Sequence, residues 1–208
     1  MKNKIFKTSE KHSGETLIEI IIAVGVIITI LAPAAGLQVQ SIRDLAFNRD
    51  YLIAETLADE GIEIIRNMRD TNFLKFPGKE KDCWNTKPDD SNNPSQITLD
   101  TCDKNKIEAG SYILKRDIDT LKWSIKNIGA NSIPDDFNFE EDSEYRLKLD
   151  NDTQLYNHDS GELTNFFREI YVEYDGENKM NVLSRVFFKN GAKTKIVKRL
   201  YHLTNKKI

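Results

Sequence analysis

Glu19 is the residue whose type and position most call for a chemical explanation. It stands inside an apolar run, residues 17–37, that holds one acid, one proline and no base. A carboxylate at that place in an apolar helix costs on the order of 3 kcal/mol to insert into a bilayer, so it calls for a partner. Upstream, Gly14 and Glu15 lie where a lysine-bearing leader meets the run. Glycine there leaves the backbone bare to an approaching group. Cys83 and Cys102 offer the remaining covalent chemistry. With no neighbouring histidine they cannot complete a four-ligand zinc site. In an exported chain they read as a disulfide closing a loop of about twenty residues, worth roughly 3 kcal/mol in the loop-entropy account.

Other candidate groups converge less well. Asp150, Asp152, Gln154, His158, Asp159 and Glu162 gather oxygens in a short span. They lack the glycine and distal acid that a calcium loop places at fixed spacing, so turn chemistry is the better reading and no metal is assigned. Glu140, Glu141 and Asp142 read as a solvated face. His12, His158 and His202 are scattered, with no nucleophile elbow and no phosphate-cradling glycine loop; an enzyme and a bound cofactor are therefore not expected. Phe166, Phe167, Arg168 and Tyr171 could stack single-stranded DNA, but aromatic residues at strand spacing read first as core.

The elements that must carry these residues follow from hydropathy and period. Residues 15–37 supply about twenty apolar positions, enough for a helix of roughly 30 Å and one membrane crossing. The leader, residues 1–14, carries Lys2, Lys4, Lys7 and Lys11, against only Arg43 and Arg49 soon after the run. That bias places the amino terminus in the cytoplasm and the remainder outside. Removing the leader leaves 26 basic against 32 acidic side chains, a net charge of −6. Such a chain carries no bulk footprint for nucleic acid, and only a local basic patch would serve. Ala32, Pro33, Ala34 and Ala35 form the nearest site for ordinary signal cleavage, but the apolar run is longer than a signal core. Pro33 and Gly36 predict a bend or local melting of the helix.

Beyond the run, residues 38–72 read as an amphipathic helix. Phe47, Tyr51, Ala54, Leu57, Ala58, Gly61, Ile64, Ile65 and Met68 fall on one face, with charges on the other. The small residues Ala54, Ala58 and Gly61 would let a sheet approach closely. Residues 73–208 form the head, which opens on a polar stretch, residues 77–106, read as a long surface loop bracketed by the cysteines. From Gly110 the period turns to two: Tyr112/Leu114, Leu121/Trp123/Ile125, Tyr145/Leu147/Leu149, Ile170/Val172/Tyr174, Val182/Val186/Phe188 and Val197/Tyr201/Leu203 each line one strand face. Lys189-Asn190-Gly191-Ala192 is the firmest hairpin signal. The expected fold is α+β: a long amino-terminal helix packed on an antiparallel meander of four or more strands.

The segment Gly14-Glu15-Thr16-Leu17-Ile18-Glu19, behind its lysine-rich leader, resembles the processing site of type IV prepilins and of type II secretion pseudopilins. Gly14, Thr16, Leu17, Ile18 and Glu19 match that motif, and Glu15 stands where the family usually has phenylalanine. The resemblance implies a structural subunit, a minor pilin or pseudopilin, cut after Gly14 by a membrane prepilin peptidase and N-methylated at the new terminus. It implies that Glu19 pairs with the free amine of Glu15 on a neighbouring pilin-like subunit, and that an inner-membrane platform assembles the filament. Two other readings stay open: an uncleaved single-pass anchor carrying an extracytoplasmic binding domain, and a tip pilin that binds DNA during uptake.

Overall fold

A computed structural model describes residues 13–88, 97–117, 120, 122–136, 143–190 and 193–206. The leader to His12, Leu121 and the acidic cluster at Glu140 lie outside the described residues. The chain divides into two compact units, Met1–Asn48 and Arg49–Ile208. Helix α1, Ser13–Lys75, contributes to both.

In the first unit, α1 is apolar and exposed. Among the large apolar side chains, Leu17, Ile20, Ile30, Leu31 and Leu37 are each at least 60% exposed. By length and composition this helix can cross a membrane once. Of the bend or local melting expected at Pro33 and Gly36, melting does not occur: the helix runs on through both. Proline removes only the one bond to the preceding turn, and the rest of the ladder holds. Thr29 donates its hydroxyl to Val26 O at 2.7 Å, so it carries no unsatisfied donor in an apolar medium.

In the second unit, α1 packs on a seven-stranded antiparallel sheet, as the α+β expectation required. The strands are β1 Gly110–Arg116, β2 Trp123–Gly129, β3 Arg146–Leu149, β4 Tyr156–Asn157, β5 Glu162–Tyr174, β6 Lys179–Asn190 and β7 Lys193–Thr204. The sheet is not a simple meander. β5 is its hub: one edge pairs with β6, which pairs with β7, while the other pairs with β1 and β3, flanked by β2 and β4. The expected hairpin joins β6 to β7, with Asn190 opposite Lys193.

The helix face read from the sequence is the one that is buried. Ala54, Leu57, Ala58, Gly61, Ile64, Ile65 and Met68 are covered, while Tyr51 stays 39% exposed. A Cβ on Gly61 would come within 2.5 Å of Ser184 Oγ and 2.7 Å of Ile170 Cδ1. Glycine is what lets β5 and β6 come this close. Ile64, Ile65, Met68, Tyr112, Leu114, Ile170, Val172, Val182 and Leu203 form the main core. A smaller one on the other sheet face holds Ile133, Phe167 and Phe187.

The polar stretch after α1 departs from a surface loop. It contains α2, Glu80–Cys83, and a 3₁₀ turn, Cys102–Asn105, joined by a disulfide between Cys83 and Cys102. Trp84, Asn85 and Thr86 are buried. Asn72 near the end of α1 donates to Trp84 O at 3.2 Å and Thr86 O at 2.8 Å. Burying these carbonyls is tolerable because each finds a donor. A composition rich in Asp, Asn and Ser hid the one tryptophan that anchors the stretch.

Candidate functional site

The carboxylate at Glu19 lies on α1 among exposed apolar side chains and has no hydrogen-bond or ion-pair partner among the described residues. Gly14 and Glu15 stand in the first turn of the same helix. The three residues thus share one helical segment, with Glu15 and Glu19 four positions apart in the chain. Placed in lipid, a lone carboxylate there requires a cation from outside this segment.

The head treats its buried charges differently. Glu169 and Arg185 face each other across β5 and β6, with side chains 0% and 4% exposed. Glu169 Oε2 accepts from Arg185 Nε at 2.7 Å and also from Nη2. Its Oε1 accepts from Ser111 Oγ at 2.7 Å and Ile133 N at 2.9 Å. Arg185 donates onward to Ser132 Oγ at 2.6 Å and Asp135 Oδ1 at 3.1 Å. Lys198 reaches Asp135 at 2.6 Å and holds its carboxyl below the usual carboxylate range. The network fastens the segment around Ile133 to the sheet, where it covers the smaller core.

On the helix-facing side, Arg168 is fully buried and donates to Glu60 Oε2 at 2.7 Å. Burial lowers its pKa and the Glu60 charge opposes that shift. His158 directly follows β4 and is buried against β1. Its Nδ1 lies 2.7 Å from Leu114 O, so Nδ1 carries the proton and Nε2 is left as an acceptor. Burial, reinforced by the Arg168 charge, pushes His158 down to about 3, which keeps the ring neutral. Tyr174 donates to Ile107 O and accepts from Asn85 at 2.8 Å; burial pushes its phenol up to about 12.

No family model, curated protein or solved structure matches this chain.

The calcium-like oxygens are not brought together. Asp150 Oδ1 accepts from Asp152 N, Thr153 N and Thr153 Oγ at 2.8–3.1 Å, closing its own turn. Asp159 pairs with Lys115 at 2.5 Å, and His158 is buried. Phe166 and Phe167 are both buried, on opposite sheet faces, so they offer no stacking platform. A cleft of about 800 Å³ in the head is lined by Ile64, Met68, Asn72, Thr86, Arg116 and Trp123, among others. The Arg116 guanidinium lies 5.4 Å over the Trp123 ring. The same lining also carries Glu60, Glu63, Thr71, Lys75, Lys87 and Lys122, so both signs of charge border the cleft. Sequence reasoning missed the Glu60–Arg168 and Glu169–Arg185 pairs. The available signal was the adjacent Arg168 and Glu169 in the middle of an apolar strand, which must point to opposite faces and each need a partner.

Proposed function

We propose that this chain is a structural subunit of a pilin-like filament, a minor pilin or pseudopilin, cut after Gly14 by a membrane peptidase. One observation carries the reading: an exposed apolar run, residues 17–37 of α1, whose lone acid, Glu19, comes shortly after Gly14 and Glu15 and has no partner among the described residues. Cleavage creates an α-amine at Glu15, which titrates near 8 and is charged at neutral pH. In a bundle of such helices, the amine of one copy meets Glu19 of the next where water is excluded, and a mismatched stagger leaves both charges bare. The pair thereby selects register. The exposed apolar surface, held in lipid before assembly, transfers to the packed core of the filament. The head remains on the extracytoplasmic side, where the disulfide persists.

Glu19→Ala tests this in native membranes. The expected result is normal membrane insertion with at least about a tenfold fall in recovery from sheared filaments. Unchanged recovery would refute the pairing.

A further inference from the structure

The head's two edges carry opposite charge at the same end of the sheet. There the strand order runs β7, β6, β5, β3, β4. On one edge, the β6–β7 hairpin presents Lys189, Lys193 and Lys195, all exposed and without an acidic partner among the described residues. On the other side, the turn between β3 and the edge strand β4 presents Asp150 and Asp152, with Glu162 beside it at the start of the central strand β5. Their hydrogen bonds come from backbone amides, Thr153 and Asn151, and none pairs with a cation among the described residues. Lys148, the nearest base in sequence, is turned to Asp159 O at 2.9 Å. Elsewhere on β7 the bases are matched within the chain: Lys198 by Asp135, and Arg199 by Glu55 and Asp59 at 2.8 Å each.

We infer that the lysine edge of one copy docks against the acidic edge of the next, a head-to-tail contact between copies held in the same orientation. A two-fold pairing centred on the lysine edge would set lysine against lysine and is disfavoured. Head-to-tail contacts whose rotation does not close into a ring extend into helical arrays. The inference rests on the filament reading, which supplies the common orientation.

The test uses the full-length protein in native membranes, with Asn151→Cys and Thr194→Cys in one chain and the native Cys83–Cys102 bond intact. Oxidation is expected to give a ladder of cross-linked oligomers. Adding Lys193→Glu and Lys195→Glu should reduce the ladder about tenfold, and further adding Asp152→Lys and Glu162→Lys should restore it. A parallel Leu31→Cys chain reports packing of the apolar helices separately. A cross-linked dimer through Leu31→Cys without an edge ladder would overturn the docking and leave the filament reading standing. Absence of both would overturn both. An edge ladder indifferent to charge reversal, or one not restored by the second reversal, would also overturn the charge pairing.

Discussion

Glu19 and Glu169 are the same side chain under opposite arrangements. Glu169 has lost all contact with water, and its own chain supplies two donors to each oxygen. Glu19 stands among apolar residues and receives nothing from the described part of its chain. A buried charge satisfied from within is part of the fold, whereas one that stays bare in an apolar setting points to another molecule. The two parts of α1 repeat the contrast. Its later turns bury one stripe against the sheet, but its early turns are exposed all round.

The largest effect should come from breaking the satisfied pair. Arg185→Ala strands the Glu169 carboxylate and should destabilise the head by about 3–5 kcal/mol in chemical denaturation. Replacing both, Glu169→Leu with Arg185→Met, should recover most of that loss; no recovery would mean that the network matters more than the charge balance. Next is acid. The pKa of His158 falls from 6.5 to about 3 on folding, so the unfolded chain takes up the proton first. Stability is then full above pH 6.5 and drains as pH falls towards 3, by up to about 4 kcal/mol. The difference between wild type and His158→Gln across that window should isolate this slope.

Loss of the Cys83–Cys102 bond should cost about 3 kcal/mol, read as a lower denaturation midpoint under reducing conditions. The smallest effect on the head should be that of Glu19→Ala, within about 0.5 kcal/mol, as for a surface position away from any packed feature. A clear loss of head stability in that variant would undo the contrast between the two glutamates.

Periodicity carried much of this fold. The stripe from Ala54 to Met68 and the alternation in β5, β6 and β7 are local signals, set by which side chains must leave water. The disulfide was legible from two cysteines with no rival chemistry. Partners far apart in sequence were not: Glu60 meets Arg168, and Glu169 meets Arg185 only once β5 and β6 are in register. Trp84 was hidden for the opposite reason, because its neighbours are polar and their groups are satisfied by distant Asn72, Thr86 and Asn85 contacts. Around Glu19 the reading rests on the short stretch from Gly14 to Glu19 alone, and no tertiary contact among the described residues bears on it.

The mass of the amino-terminal peptide from protein isolated from native membranes tests the central claim most directly. The account predicts a chain that begins at Glu15, with or without a methyl group on its amine. Recovery of peptides containing Lys2 to Lys11 in the mature protein would contradict it and leave a tethered head with an unexplained acid in its anchor.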